Sequence, residues 1–265
     1  MSFRYEELFQ RNIGVFTPEE QGRIRGLVVA VAGCGGLGSA IAYNLARLGV
    51  GGIRLADPEA CGPENVNHQY GAFVDTIGVN KARATAGELK RINPGLTTLA
   101  LESGATDGAL VQLLDGADIA VNAIDFFEFE AVLAFHAAAR ERGLWVVAGQ
   151  GAMEILTGTA FDPAGHEIES MMTSGGHLSL EHAVRSFFPR LPRGVTLETV
   201  ASELGGPGPH SVPYHVVSQS VGAALCAEDL VRIAIRDGAP FAVAPGLYTL
   251  DLATLALLIV PGQPH

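Results

Sequence analysis

A short apolar stretch that runs directly into a cluster of glycines constrains this chain more than any other feature. Residues 28–32 read Val-Val-Ala-Val-Ala, which predicts a buried strand, and residues 40–48 have the spacing of an amphipathic helix. Between them, Gly33, Gly35 and Gly38 keep the G-x-G-x-x-G spacing of a dinucleotide-binding turn. The first glycine permits the turn, the second lets phosphates approach the backbone, and the third lets the helix pack on the strand. This unit predicts an anion site at the helix N terminus, against the alternative of a turn that binds nothing.

Strand-like and helix-like patterns alternate from residue 27 to residue 150, which favours a parallel sheet with crossover helices. After residue 150 comes a long stretch rich in glycine, proline, serine and histidine. We therefore predict an α/β fold with a Rossmann-like, mostly parallel sheet, helices on both faces, antiparallel terminal strands and a long crossover segment. The chain is predicted to be one domain, 1–265, with N-terminal helices in 1–26, the binding core in 27–150, and a substrate, crossover and C-terminal part in 151–265.

The periodicity also sets element bounds. The predicted helices cover residues 5–10, 18–24, 40–48, 79–92, 107–114, 129–142, 180–188 and 213–235. The predicted strands cover residues 28–32, 52–56, 96–101, 119–124, 144–148, 151–161, 241–250 and 255–260. Thr17 and Glu20 around Pro18 predict a capping box at the second helix.

Composition excludes several classes of protein. The 265 residues carry a formal charge of −11 and 48% hydrophobic residues. An acidic chain without a basic cluster is a poor binder of nucleic acid or of anionic membranes. Because we find neither a signal peptide nor an apolar run of about 18 residues, we expect a cytoplasmic protein with no membrane span. Its three cysteines, Cys34, Cys61 and Cys226, form no C-x-x-C pair, so a zinc site is not expected.

Two aspartates end predicted strands. Asp57 follows the second strand, 19 residues after Gly38, and Asp125 follows the fourth. In a parallel sheet these strand ends lie at the same edge as the glycine turn, where such folds bind their ligands. An acidic residue at the position of Asp57 is suited to accept hydrogen bonds from ribose hydroxyls.

Four further features go beyond an ordinary dinucleotide fingerprint. The glycine turn has a doubled glycine, Gly35-Gly36, and residues 65–69 read Asn-Val-Asn-His-Gln. Lys81 opens the next helix, and residues 122–126 read Asn-Ala-Ile-Asp-Phe. Together these motifs resemble the ThiF/MoeB/HesA group, the bacterial relatives of ubiquitin-activating enzymes. The resemblance covers residues 8–160 and continues more weakly to residue 250.

The resemblance implies an ATP-dependent adenylyltransferase that joins a carboxylate to AMP. It implies these roles for the nucleotide-binding residues: Gly33, Gly35, Gly36 and Gly38 pack against ATP, Asp57 takes the ribose, and Asn65, Gln69 and Lys81 surround the phosphates. Asp125 is implied to hold Mg²⁺, and Lys81, Asp125, His68 and Arg11 to form the catalytic set. Arg11 resembles an arginine that the family presents to the nucleotide of the partner subunit, so a homodimer is implied.

Two departures from the family pattern matter. The family has arginine where this chain has His68, and histidine is only partly charged at neutral pH. Either His68 is protonated beside the phosphates, or a different arrangement operates, or adenylation is weakened or lost. Residues 162–212 contain no cysteine, so an enzyme thioester is not expected. What remains is adenylation followed by direct attack of a nucleophile on the acyl-adenylate. The activated carboxylate then belongs to a small molecule or to the C terminus of a peptide or carrier protein.

Two other functions stay open at this point. A nicotinamide-dependent (NAD) oxidoreductase is compatible with the glycine turn and Asp57, although it does not need Lys81 or Asp125. A catalytically inactive fold relative that acts as a binding partner is compatible with the exchange at His68. The histidines of the second half are expected to line a substrate pocket rather than to bind a metal: His166, His177, His182, His210 and His215.

Overall fold

The computed structural model describes residues 3–200 and 216–261. Its helices are α1 (Tyr5–Leu8), α2 (Pro18–Gly26), α3 (Gly36–Leu48), α4 (Lys81–Ile92), α5 (Asp107–Leu114), α6 (Phe129–Glu141), α7 (Ile168–Met172), α8 (Leu180–Phe187) and α9 (Val216–Ala234). Its strands are β1 (Val28–Ala32), β2 (Gly52–Ala56), β3 (Thr97–Leu101), β4 (Ile119–Asn122), β5 (Val146–Ala152), β6 (Ile155–Phe161), β7 (Thr173–Ser174), β8 (His177–Leu178), β9 (Leu247–Asp251) and β10 (Ala256–Val260).

Eight strands form one sheet in the order β10-β9-β6-β5-β4-β1-β2-β3. Strands β1 to β5 pair in parallel, whereas β6, β9 and β10 pair in antiparallel fashion. The predicted mostly parallel sheet with antiparallel terminal strands is therefore confirmed. The carboxyl ends of β1, β2 and β4 meet at one edge, which we call the carboxyl edge.

Helices cover both faces of the sheet, as predicted. The side chains of β1 alternate between two apolar cores: Val29 and Val31 pack with α3 and α9, and Ala30 and Ala32 pack with α5 and α6. Because both faces of β1 are buried, its sequence is a continuous apolar run rather than an alternating one.

Most predicted elements are present, and the capping box of α2 is confirmed, since Glu20 N donates to Thr17 Oγ1 at 3.1 Å. The predicted strand at residues 151–161 is wrong in its bounds, because the chain reverses at Met153, whose φ is 52°. Residues 149–152 instead extend β5, and β6 returns antiparallel to it. The predicted strand at residues 241–250 is also wrong at its start. Pro245, which has no N–H for a ladder, lies in a turn that Gly246 N closes on Val243 O at 2.9 Å.

The long segment after β6 contains α7, the β7–β8 hairpin and α8, so its predicted helix is confirmed. The predicted long helix is present as α9, and residues 213–215 of that prediction lie outside the described residues. Within residues 3–200 and 216–261, no helix is both long enough and apolar enough to span a membrane.

Candidate functional site at the carboxyl edge

Two glycines of the turn between β1 and α3 are required by packing. Gly33 has a φ of 90°, and a Cβ there would overlap the carbonyl group of Ala123 after β4. A Cβ at Gly38 would overlap the carbonyl oxygen of Gly33. These glycines bring the start of α3 directly onto the strand ends, as the G-x-G-x-x-G spacing predicts.

The other two glycines face different surroundings. A Cβ at Gly36 would meet His68 Cδ2 and Gln219 Cγ, each at 3.1 Å. At Gly35 the nearest atom to such a Cβ is Gln69 Nε2 at 3.9 Å, so this backbone is open to a ligand. Gly35 is the N-cap residue of α3, and no side chain of the described residues caps this helix. Its first N–H groups and the helix dipole therefore offer a site for an anion.

Asp57 joins the glycine turn to the end of β2. Its carboxylate accepts hydrogen bonds from Cys34 N at 2.7 Å and from Glu59 N at 2.9 Å. The side chain is only 6% exposed, and burial raises the pKa of its carboxyl group. Asp57 thus holds the turn in place, and the ribose contact implied by the resemblance stays a prediction.

The two ends of the loop formed by residues 58–80 are hydrogen-bonded to each other, which places Lys81 at the sheet edge. Cys61 N donates to Val79 O and Gly78 N donates to Cys61 O, both at 2.8 Å. Asn80 Nδ2 donates to the backbone oxygen of Asp57 at 2.8 Å, while Asn80 Oδ1 caps α4. These bonds place Lys81 beside the end of β2.

Lys81 lies at the first position of α4 and is only 7% exposed. Its ammonium nitrogen lies 2.5 Å from Oε2 of Glu59, whose side chain is 69% exposed. Sequence reasoning missed Glu59, although its place two residues after Asp57 at the strand end was a usable signal. The pair shows that a buried cation is held at the site by a carboxylate that solvent can reach.

The segment Asn65–Gln69 lies against the glycine turn. Asn65 Oδ1 accepts from Gly62 N at 2.8 Å, which holds the local turn. Gln69 is 8% exposed, and its Oε1 has no hydrogen-bond partner among the described residues. A buried polar atom without a partner costs free energy, and a donor group on a ligand would remove that cost.

His68 is half-buried, with Nδ1 lying 2.6 Å from Asn67 Oδ1. Because the amide oxygen only accepts, Nδ1 is the protonated nitrogen in the neutral ring. Burial, and then the charge of Lys81, lowers the pKa of His68. In the free protein both effects favour the neutral imidazole, and bound phosphates would act in the opposite direction.

Asp125 follows β4 at the same edge and is exposed. Its Oδ1 accepts from Phe127 N at 3.0 Å. Across residues 3–200 and 216–261, no three His, Cys, Asp or Glu side chains are arranged to hold a metal ion. Mg²⁺ needs only one or two carboxylates when substrate phosphates supply the other ligands, so Asp125 fits such a site.

Arg11 does not lie with the other predicted residues. Arg11 is exposed in a short 3-10 turn that ends at Asn12. The side-chain amide of Asn12 donates to Leu48 O at 2.9 Å. Leu48 ends α3, so this turn lies one helix length, about 20 Å, from the glycine turn. Arg11 is therefore too far from the glycine turn of its own chain to contact a nucleotide bound there.

The described histidines of the second half, His166, His177 and His182, are not assembled at the glycine turn. His182 Nε2 lies 3.0 Å from Ser170 O, and His166 lines a cavity of about 480 Å³ at the opposite edge of the sheet. That cavity is mainly apolar, and its Arg140 pairs with Glu167 at 3.5 Å. His177 is exposed in β8. His210 and His215 lie outside the described residues.

Comparison with known proteins gives the context of this site. Residues 9–166 match the ThiF family model. The chain is 29% identical to tRNA threonylcarbamoyladenosine dehydratase of Haemophilus influenzae over 148 residues, 56% of this chain and 57% of that protein. It is 31% identical to the SAMP-activating enzyme E1 of Haloferax volcanii over 110 residues, 42% of this chain and 41% of that protein. The chain thus spans about half the length of the curated relatives it matches.

Solved structures share the fold over more of the chain. PaaA superimposes with a TM-score of 0.74 at 18% identity and covers 98% of this chain and 74% of its own. Escherichia coli MccB with ATP gives a TM-score of 0.70 at 18% identity, covering 92% of this chain and 67% of its own. At that identity the likeness concerns the fold alone. Because the family model covers more than half of the chain, this protein belongs to the ThiF family.

Proposed function

We propose that this chain is an ATP-dependent adenylyltransferase that activates a carboxylate as its acyl-adenylate. The observation that carries the proposal is the convergence, at one sheet edge, of an uncapped helix N terminus with the buried cation of Lys81. Phosphates need both N–H donors and positive charge, and a dehydrogenase does not need this lysine. Membership of the ThiF family agrees with this activity and does not favour the NAD-dependent oxidoreductase.

In the proposed reaction a carboxylate oxygen forms a bond to the α-phosphorus of ATP. The bond from that phosphorus to the bridging oxygen breaks, and pyrophosphate leaves with the electron pair. Negative charge builds up on the phosphates, and groups already in position stabilise it without reorganisation. The N–H groups of α3 and the ammonium of Lys81 are the groups proposed to do so, with the Asn65 and Gln69 amides beside them.

Mg²⁺ bound at Asp125 would neutralise part of the phosphate charge. The residue fits because it is exposed at the strand end and one carboxylate suffices. Asp57 is proposed to accept from the ribose hydroxyls as well as from the turn, since a carboxylate has about four acceptor positions.

No thioester is proposed on this chain. Its three cysteines are all buried, at 1%, 3% and 1% exposure for Cys34, Cys61 and Cys226. Burial raises the pKa of Cys34 and Cys226, the latter to about 12, so neither is a thiolate nucleophile at neutral pH. The acceptor nucleophile is therefore proposed to attack the acyl-adenylate directly.

We propose a homodimer in which Arg11 completes the site of the partner copy, because Arg11 lies too far from its own. Mixing inactive Arg11→Gln and Lys81→Gln chains tests this. A mixed dimer keeps one intact site, the one with its own Lys81 and the partner's arginine, so random mixing restores about a quarter of the wild-type activity. Mixtures that stay inactive would contradict the shared site.

The proposed partner is a molecule that carries a carboxylate, either small or at the C terminus of a peptide or carrier protein. Solved structures of the fold neighbour MccB include a complex with ATP and one with N-formylated MccA. They support ATP and a carboxylate-bearing partner as the first ligands to test.

The experiment is ATP–pyrophosphate exchange with radiolabelled pyrophosphate, run over a panel of small carboxylates and peptides. Calorimetric titrations with ATP and with NAD, each with Mg²⁺, are run in parallel. Exchange above the no-carboxylate background supports adenylation. Binding of NAD but not ATP would favour the oxidoreductase, and ATP binding without exchange with any carboxylate would favour an inactive binding partner.

A further inference from the structure

Gln219 of α9 lies at the glycine turn, about 180 residues away in sequence from its first glycine. Its Cγ is 3.1 Å from the position of a Cβ at Gly36, and its Nε2 is 3.6 Å from that of a Cβ at Gly151. Gly36 starts α3 and Gly151 lies near the end of β5. The side chain therefore bridges the turn and the neighbouring strand on the side of β5.

The side-chain amide of Gln219 is available to a ligand at the turn. The residue is only 4% exposed, and it makes no hydrogen bond with any residue in 3–200 or 216–261. Its amide atoms are not sealed from solvent, so the partner of the side-chain N–H is open to exchange. A ligand oxygen at the turn would supply that partner.

A hydrogen-bond network joins the residues that follow Gln219 and Gln69 in sequence. Ser220 Oγ lies 2.7 Å from the hydroxyl of Tyr70, and Tyr70 N donates to Ser39 Oγ at 3.0 Å. These bonds tie α9 to α3 and to the segment that follows Gln69. The two buried glutamines thus face one glycine turn from different elements, with the ring of His68 near Gly36.

The two sides of the turn carry different chemistry. Asp57, Glu59 and Lys81 come from the side of β2, where the ribose and phosphates are proposed to bind. Gln219 comes from the side of β5 and brings a neutral amide side chain to within 4 Å of the Cβ positions of Gly36 and Gly151. A neutral donor orients a carboxylate with less charge withdrawal than an ammonium, so the oxygen that attacks stays nucleophilic.

We propose that Gln219 binds the substrate carboxylate, and afterwards the acyl oxygen of the adenylate, through its side-chain N–H. The proposal rests on the adenylation proposed above. The attacking oxygen bonds to the α-phosphorus while the second carboxylate oxygen accepts from Gln219 Nε2. That acceptor becomes the carbonyl oxygen of the acyl-adenylate, so the contact is kept through the reaction.

The test uses two probes that need no knowledge of the natural substrate: ATP with Mg²⁺, and 5′-O-(N-acetylsulfamoyl)adenosine, a stable acyl-adenylate mimic. Calorimetry measures both affinities for the wild type and for Gln219→Leu. We expect the variant to lose about tenfold in affinity for the mimic, the effect of one hydrogen bond to a charged ligand, and less than twofold for ATP. Gln219→Glu, which places a charge beside the anionic mimic, is expected to lose at least as much.

Gln21→Leu is the matched control, because Gln21 is a buried glutamine that bonds to Tyr5 and Leu48 at the far end of α3. It is expected to leave both affinities unchanged, and thermal unfolding checks that each variant is folded. If Gln219→Leu loses affinity equally for ATP and for the mimic, or loses none for the mimic, the proposed role of Gln219 is wrong. ATP binding by the wild type would not be affected by that result. A wild type that binds neither probe would overturn the adenylation itself.

Discussion

The ammonium of Lys81 and the carboxylate of Glu59 form an ion pair with one buried and one exposed partner. The side chain of Lys81 is 9% exposed and that of Glu59 is 69% exposed, with 2.5 Å between Nζ and Oε2. Incoming phosphates can therefore share or replace the carboxylate as the counterion of a lysine that is already in place.

We expect Lys81→Gln to lower kcat/KM for pyrophosphate release by about 10²–10³, the usual loss when one charge-stabilising donor is removed. Glu59→Gln is the contrasting variant. Because it removes a competitor of the phosphates, it is expected to tighten ATP binding in calorimetry. If Glu59→Gln weakens ATP binding as strongly as Lys81→Gln does, the carboxylate itself binds the nucleotide complex and the competition is disproved.

The glycine turn makes a prediction that separates packing from ligand binding. Gly38→Ala places a Cβ onto the Gly33 carbonyl, and we expect it to lower the free energy of unfolding by about 1–3 kcal/mol. Gly35→Ala makes only an ordinary contact with Gln69 Nε2 at 3.9 Å and has a φ of −70°, so it is expected to fold normally and to lose ATP affinity about tenfold or more. Chemical denaturation and calorimetry measure the two effects. Full ATP affinity in Gly35→Ala would show that phosphates do not approach this backbone.

We predict that His68 takes up a proton when ATP binds. Burial and the charge of Lys81 lower the pKa of His68 in the free protein, and bound phosphates are expected to raise it. A group whose pKa rises on binding favours binding at low pH, so ATP affinity should fall as pH rises through the pKa of the complex. Calorimetry at pH 7 in buffers of different ionisation enthalpy counts the protons. His68→Arg, which is permanently charged, should abolish the uptake; uptake that persists in this variant would assign it to another group.

The buried carboxyl group of Asp229 is expected to make the free energy of unfolding depend on pH. It is wholly buried in α9, where Phe241 N donates to Oδ1 at 2.6 Å and Oδ2 has no partner among the described residues. Burial raises its pKa from 3.8 to about 6. The native state then binds more protons than the unfolded state between those values, so the free energy of unfolding falls as pH rises from 4 to 6. The total fall is about 3 kcal/mol, in order of magnitude.

Denaturant unfolding from pH 4 to pH 7 measures this effect. In Asp229→Asn most of the pH-dependent decrease in the free energy of unfolding should disappear. Asp75→Asn changes an exposed residue and should show the same decrease as the wild type. Equal slopes for the wild type and Asp229→Asn would show that the buried carboxyl is not the source.

Much of the core architecture could be predicted because it follows from local rules. The apolar run of β1 needs burial on both faces, and the G-x-G-x-x-G spacing needs a turn that only glycine can make at Gly33. Alternation of the two periodicities was enough to predict a parallel sheet. The reversal at Met153 and the turn at Pro245 escaped prediction because short apolar segments carry the same pattern whether they form one strand, two strands or a strand with a turn.

The sequence by itself determined the glycine turn, the strand ends that carry Asp57 and Asp125, and the family motifs around Lys81. Only the tertiary structure decided what these residues contact. In the structure Lys81 forms an ion pair with Glu59, because the loop between them folds back on its own start. Arg11 lies at the far end of α3, and Gln219 lies against Gly36. The reason is physical: local pattern sets strand and helix, whereas contacts between distant segments depend on how the helices pack on the sheet, which no short window of sequence contains.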